Sequence, residues 1–231
     1  MTIFRFKEIA ARRLHDAPPG VRWNYDRSEL VADGVVHIVG SVFGVIAAFF
    51  LIAAAVNGAS WKDIAAVSIY AVGLLAMLVL SATYNLFPVY RYKWILRRFD
   101  HSAIYVLIAA TYTPFIAQMD VSIVSVCLLM GVWLVAIAGI FLKLFYPGRF
   151  DRLAIVLYLA MGWSGVVAYD TIVSALSPLT LWLIAIGGLL YTAGVIFHVW
   201  ERLRFQNAIW HVFVLAGAAC HYTAIFDIVT A

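Results

Sequence analysis

Seven apolar segments, separated by short polar stretches, dominate the pattern along the chain. Each segment is long enough to cross the hydrocarbon core of a bilayer as a helix of roughly 20 residues. They cover residues 33–56, 64–87, 101–119, 122–143, 153–175, 178–198 and 207–229. None alternates with a period of two, as the strands of a membrane barrel do. The pattern therefore predicts an all-α membrane protein, a seven-transmembrane helix bundle over residues 29–231 that follows a basic tail over residues 1–28.

The composition supports a membrane protein and excludes a soluble one. Of the 231 residues, 65% are hydrophobic and only 12% are charged, whereas about a quarter of the residues of a soluble domain are charged. So few charges cannot cover a water-exposed surface. The net charge of +4 is explained by basic loops of a membrane protein, so nucleic acid is not expected as a partner.

The distribution of basic residues predicts the orientation. Fifteen of the 16 lysines and arginines lie in the N-terminal tail and in the second, fourth and sixth loops, and Lys62 alone lies on the other side. Basic loops stay in the cytoplasm. The sequence thus predicts a multi-pass protein of the cell (inner) membrane with a cytoplasmic N-terminus and an external C-terminus. The tail itself fits either an amphipathic helix on the inner leaflet or a disordered basic segment.

Polar side chains of four spans fall at the predicted cytoplasmic end. Ionisable groups at membrane depth are costly, so they are functional candidates by default. His221 lies about three turns deeper on the last span and is expected to hydrogen-bond within the bundle. The other members of this polar layer are Glu29, Asp33, His37, Ser81, Asn85, Asp100, His101, Asn207 and His211.

Three pairs in this layer are spaced by four residues, so each pair shares one helix face. The pairs are Asp33 with His37, Ser81 with Asn85, and Asn207 with His211. An aspartate beside a histidine suits metal ligation, general base catalysis or a proton relay. The alternative is a hydrogen-bonded polar knot that only locks the helices together, and the residues alone leave both interpretations open.

Four segments resemble a known family. SATYNLFP, RRFDHSAIYVLIAATYTPF, NAIWHVFVLAGAACHYTAI and ELVADGVVHIVG are similar to signatures of hemolysin III proteins, the bacterial branch of the progestin and adipoQ receptor (PAQR) family. The resemblance covers the chain from about Glu29 to its end. It implies a seven-span bundle with a cytoplasmic N-terminus and, in the receptor branch, a zinc ion held by three histidines. It also implies a link to membrane-lipid homeostasis, and a ceramidase-like amide hydrolysis for the receptors.

The chain departs from the resemblance at the zinc ligands. Asn85 and Asn207 occupy two of the three histidine positions, and only His211 remains. An amide oxygen is a poor substitute, because zinc favours imidazole, thiolate or carboxylate. We therefore expect no cofactor, with the asparagine side chains hydrogen-bonded across the former site. In one alternative, zinc is retained because Asp33, His37 or Asp100 joins His211 around the ion; in another, a metal is bound through the asparagine amides themselves.

The expected function is that of a lipid-responsive, receptor-like membrane protein with a polar cavity that binds a lipid or a fatty acid. One alternative is a zinc-dependent hydrolase of a lipid amide at the cytoplasmic leaflet. In it His211 is a ligand, Asp100 activates water and Ser81 stabilises the oxyanion. A second alternative is a proton-linked transporter or channel, although no segment carries a sign of the discontinuous helices common in transporters. The sequence leaves open whether the protein is an enzyme.

Overall fold

A computed structural model describes residues 25–88 and 92–231, and the regular structure of this part of the chain is entirely helical. The predicted tail lies almost wholly outside the described residues. The fifth predicted segment, 153–175, corresponds to Asp151–Ala175 in the structure, which is built from two helices joined by a 3₁₀ turn at Ser164–Ala168. The helices are α1 (Arg27–Gly58), α2 (Trp61–Leu86), α3 (Lys93–Ala117), α4 (Ile123–Phe145), α5 (Asp151–Trp163), α6 (Tyr169–Ala175), α7 (Pro178–Val199) and α8 (Gln206–Thr230).

Six helical segments within the described residues are long and apolar enough to cross a membrane: α1, α2, α4, the fifth span, α7 and α8. Helix α3 corresponds to the third predicted span but is less apolar, because its first two turns carry Lys93, Arg97, Arg98 and Asp100. It is also deeply enclosed, and Tyr105 and other residues of its middle turns are fully buried. A helix surrounded by other helices needs fewer lipid-facing apolar residues.

Polar side chains set where several helices begin. Asp26 caps α1 by accepting the Glu29 backbone N–H at 2.8 Å, and the Glu29 carboxylate accepts the Asp26 N–H at 2.9 Å. This reciprocal arrangement satisfies two backbone groups that a helix start leaves free. The Ser28 hydroxyl donates to the Asp26 carboxylate and holds the pKa of Asp26 below its usual range. Ser60, Ser122 and Ser177 cap α2, α4 and α7 by accepting the backbone N–H three residues further on, and at Ser122 the arrangement is again reciprocal.

The fifth span is interrupted by the 3₁₀ segment Ser164–Ala168 between α5 and α6. The Tyr112 hydroxyl of α3 lies 2.9 Å from the carbonyl oxygens of both Met161 and Gly162, and it accepts the Gly165 N–H at 2.9 Å. A break in a membrane helix is tolerated when other groups satisfy the freed backbone. The sequence of the fifth span gives no sign of the break because the group that supports it lies 49 positions away from Met161.

The helices run so that polar clusters gather at the two ends of the bundle. At one end, the Asp151 carboxylate binds Arg97 at 2.8 Å and Lys143 at 2.6 Å. We call this the basic end; α1, α3, α5 and α8 begin there. At the other end, called the opposite end, Asp227 of α8 accepts hydrogen bonds from Ser177 and Thr180 at the start of α7. All the residues of the predicted polar layer except His221 lie toward the basic end.

Candidate functional site

The core of the candidate site is a group of buried and half-buried polar side chains carried by α1, α2 and α8. We call it the Asp33 cluster; its members are Asp33, His37, Asn85, Asn207 and His211. The Asp33 carboxylate lies 2.6 Å from His211 Nδ1 through Oδ1, and it accepts the Asn207 side-chain amide at 2.8 Å through Oδ2. The i, i+4 spacing puts each pair on one helix face, and α8 packs directly against α1. The structure thus brings these pairs together.

His37 completes the acidic and imidazole part of the cluster. Its Nε2 lies 3.7 Å from Asp33 Oδ2, and the ring centroids of His37 and His211 are 4.3 Å apart. Asp33, His37 and His211 each offer one donor atom, and these three atoms lie within 4.8 Å of one another. The side chains are buried, and His37 Nε2 has no hydrogen-bond partner in the part of the chain that the structure describes. One carboxylate and two imidazoles form a set that suits a transition metal.

The two asparagines join the three helices by hydrogen bonds. Asn207 donates to the Asn85 side-chain oxygen at 3.1 Å. Asn85 in turn donates to the Ser81 carbonyl at 3.0 Å and lies 3.4 Å from the Ser81 hydroxyl. A continuous chain of polar contacts therefore runs from Asp33 through Asn207 and Asn85 to Ser81, across α1, α8 and α2.

Ser81 and Asp100 lie beside the Asp33 cluster, but neither belongs to the group of three residues whose donor atoms could hold a metal ion. Both are buried, their side chains interact, and both line the same cavity as Asp33. His101 Nε2 lies 4.0 Å from Asp100 Oδ2, and the His101 carbonyl accepts the Tyr158 hydroxyl at 2.8 Å. These three residues extend the polar wall of the cavity from α2 onto α3.

Two residues of the predicted layer occupy other places. Glu29 lies at the start of α1, where its carboxylate accepts the Phe205 N–H at 3.1 Å and so links the starts of α1 and α8. Phe205 has a positive φ of 58°, so this bond helps to hold a turn that favours glycine. His221 lies about 15 Å along α8 from His211, and its Nε2 lies 3.2 Å from the Ile184 carbonyl of α7.

The sequence reasoning missed two polar features of the basic end. One is the ion cluster of Asp151, Arg97 and Lys143, which joins α5, α3 and α4. The signal available in the sequence was Asp151, an acidic residue at the start of the fifth span, at the end of the bundle where the basic residues of other spans lie. The other is Lys93, whose Nζ donates to the Phe87 carbonyl at 2.7 Å and the Asn85 carbonyl at 3.4 Å. Lys93 thereby satisfies carbonyl groups at the end of α2, where a cation is favoured.

A large cavity connects the polar wall with the apolar interior of the bundle. Its volume is about 1720 Å³, more than the roughly 300–1,000 Å³ of an ordinary small-molecule pocket. Exposed lining residues of the fifth span and of α7, among them Val166, Tyr169 and Trp182, indicate an opening between these helices toward the lipid-facing surface. Polar residues line the cavity at the basic end, and mainly apolar residues line it deeper in the bundle, including Leu107, Ile108, Phe115, Ile172 and Leu181.

Six helical segments of the described residues that are long and apolar enough to span a bilayer define a multi-pass membrane protein. Comparison with known proteins specifies the family. The model of the family described as haemolysin-III related matches residues 27–222. The chain belongs to the hemolysin III family, within the wider PAQR family, as the sequence resemblance predicted.

Individual relatives agree with this assignment. The chain is 38% identical to the hemolysin-3 homolog of Bacillus subtilis (strain 168), over 84% of this chain and 91% of that protein. It is 29% identical to the human monocyte to macrophage differentiation factor, over 96% of this chain and 94% of that protein. It is 27% identical to the heptahelical transmembrane protein ADIPOR2 of Oryza sativa subsp. japonica, over 68% and 79%. The similarity to bacterial hemolysin-3 proteins indicates the bacterial cell membrane as its location.

Proposed function

We propose that this protein binds the acyl chain of a membrane lipid or a fatty acid in the cavity and acts as a lipid-responsive protein of membrane-lipid homeostasis. The cavity carries this proposal. It extends from polar side chains at the basic end to apolar residues deep in the bundle, and exposed lining residues leave a path from the lipid. An amphiphile with a polar head and a long apolar chain matches this distribution, because each part of the ligand meets groups of its own polarity.

The proposed topology has seven spans over residues 29–231, with α3 as the enclosed third span and the basic end in the cytoplasm. Fifteen of the 16 basic residues lie on that side of the chain, which supports this orientation. A C-terminal fusion to alkaline phosphatase should be active, whereas a C-terminal green fluorescent protein should stay dark. A fluorescent and phosphatase-negative C-terminus would contradict the proposed orientation.

The lipid proposal is tested by filling the cavity. Ala185 of α7 lines the cavity, whereas Ala160 of α5 is exposed and lies outside the lining. Ala185→Trp should reduce the lipid that copurifies with the protein, and fatty acids should no longer raise its unfolding temperature. The matched control Ala160→Trp should retain both properties. Mass spectrometry of the extracted lipid and thermal unfolding in detergent give the two readouts, and equal lipid content in both variants would refute the proposal.

A second candidate is a zinc-dependent hydrolase of a lipid amide, and the donor group of Asp33, His37 and His211 favours it. Asp100 and Ser81 line the same cavity, where they would face the polar end of a bound lipid amide. Incubation of the zinc-loaded protein with an N-acyl lipid amide should then release the free fatty acid. Release that is equal in Asp100→Asn and the unmodified protein would remove this candidate.

A further inference from the structure

We propose that Asp33, His37 and His211 hold a divalent transition-metal ion, in a ligand set that differs from the three histidines implied by the family resemblance. Two of those three histidine positions are Asn85 and Asn207 here, so that set cannot form. In the proposed site the ligands come from α1 and α8, and α2 contributes none. This inference is independent of the lipid-binding proposal, since the ion would lie at the polar end of the cavity with or without an acyl chain.

The three side chains converge closely enough for one ion. One donor atom from each of the three residues lies within 4.8 Å of the other two, so small side-chain adjustments would bring all three to the bonds of about 2.0–2.2 Å that zinc makes to its ligands. Asp33 lies at the centre of the group: its Oδ1 is hydrogen-bonded to His211 Nδ1 at 2.6 Å, and its Oδ2 lies 3.7 Å from His37 Nε2. Two imidazoles and one carboxylate are also a ligand set found in zinc sites with three protein ligands.

The hydrogen bonds of His37 give a second, independent indication of a ligand. The side chain of His37 is only 7% exposed, and its Nε2 has no hydrogen-bond partner within the described residues. A buried polar atom without a partner is unfavourable and calls for an explanation. This nitrogen points toward Asp33 and His211, and an ion between the three would supply the missing partner.

The asparagines act as supports of the ligands in this arrangement. Asn207 donates to Asp33 Oδ2 and also to Asn85. A group that hydrogen-bonds a ligating carboxylate fixes its orientation. Asparagine in place of histidine at positions 85 and 207 therefore removes two ligands of the set implied by the resemblance, and the asparagine side chains instead orient Asp33 as a new carboxylate ligand.

The first experiment measures the ion directly. The purified full-length chain in detergent is loaded with Zn²⁺, freed of excess metal, and subjected to elemental analysis; Co²⁺ loading gives an absorption spectrum that reports the ligand geometry. About one ion per chain is expected, as for a site with three protein ligands. A metal content near zero for the unmodified chain would overturn the proposal.

The second experiment assigns the ligands. Asp33→Asn, His37→Gln and His211→Gln should each weaken binding by at least about tenfold, the effect typical of disturbing a metal site. His221→Gln serves as the matched control, because this histidine of α8 bonds the Ile184 carbonyl away from the cluster. Undiminished binding by Asp33→Asn and His37→Gln would place the ion elsewhere and refute the site.

A variant designed to regain metal binding distinguishes the loss of a ligand from misfolding. Adding Asn85→His and Asn207→His to Asp33→Asn supplies three imidazoles with His211. Recovery of metal binding in this variant shows that Asn at position 33 is compatible with a folded site, so that loss of binding in Asp33→Asn reflects a missing ligand, which supports the assignment. If Asp33→Asn alone binds as tightly as the triple variant, Asp33 is not a ligand and the proposal fails.

Discussion

Two polar clusters link helices at opposite ends of this bundle, and they differ in how their hydrogen bonds are satisfied. At the opposite end, Asp227 Oδ2 accepts the Ser177 hydroxyl at 2.8 Å and the Thr180 hydroxyl at 2.5 Å. Ser177 is at the same time the cap of α7. None of these side-chain atoms is buried without a partner among the described residues. This cluster is complete as it stands, and it joins α7 to α8.

The Asp33 cluster is incomplete by the same measure. It contains a comparable carboxylate, but the buried His37 Nε2 has no hydrogen-bond partner among the described residues, and two imidazoles converge on one acid. The comparison shows that a carboxylate shared between helices does not by itself distinguish a structural clamp from a ligand site. The two are distinguished by whether every hydrogen-bond donor and acceptor of the cluster is paired with another group of the protein.

The largest expected effect concerns metal. Free zinc at about 100 times its dissociation constant should stabilise the folded protein by about 2.7 kcal/mol, because the ion binds only the folded arrangement. Thermal unfolding in detergent, with zinc or with a chelator, measures this difference. Asp33→Asn should abolish the zinc-dependent shift and Asp227→Asn should keep it. An equal zinc shift in both variants would remove the distinction between the two clusters.

The next effect concerns the complete cluster. Asp227→Ala should destabilise the protein by about 2 kcal/mol, because two hydroxyls lose a bond to a charged acceptor. The zinc-dependent shift should remain unchanged. Asp170→Ala is the matched control, since Asp170 lies exposed near the same end and should have almost no effect. Thermal unfolding of the two variants side by side is the measurement, and equal unfolding temperatures would show that the clamp contributes nothing.

A smaller effect is expected from the amide chain. Asn207→Ala removes the bonds to Asp33 and Asn85 and should cost about 1 kcal/mol, as for other hydrogen bonds between membrane helices. It should also weaken zinc binding, since Asp33 loses its support. Asn57→Ala removes only a bond to Ala53 within α1 and should leave both properties intact. Unaltered zinc affinity in Asn207→Ala would argue against a supporting role.

The smallest expected effect is that of His221. His221→Phe removes one contact, to the Ile184 carbonyl, and should lower stability by about 0.6 kcal/mol. Zinc content should not change, because this residue lies away from the Asp33 cluster. Unfolding curves and elemental analysis of the same preparation test both statements. A loss of metal in this variant would mean that the site extends deeper along α8.

The sequence predicted the helical segments because apolar runs of sufficient length mark them directly. It also predicted the members of the Asp33 cluster, since spacing of four residues puts Asp33 beside His37 and Asn207 beside His211. It expected the side chains of Asn85 and Asn207 to hydrogen-bond across the site, as they do, but it did not predict the bonds that Asp33 makes. The bonds from Asp33 to Asn207 and His211 join residues more than 170 positions apart, and only the packing of α1 against α8 decides them.

Features that depend on contacts between distant helices were missed for the same reason. The ion cluster around Asp151 draws on three helices, and the Asp227 cluster joins residues 47 and 50 positions apart. Neither Ser177 nor Thr180 stands out in the sequence, because hydroxyl side chains are common at the start of a helix. Their role follows from the position of α8, which local patterns do not encode.

The contact made by Tyr112 has a mechanical consequence. Its hydroxyl serves backbone groups on both sides of the break in the fifth span, at Met161, Gly162 and Gly165, and its ring forms part of the cavity wall. A molecule in the cavity that displaced this ring would leave those backbone groups without their hydrogen-bond partner in the hydrocarbon region. Occupation of the cavity and the shape of the fifth span are thus coupled through the hydroxyl oxygen of Tyr112.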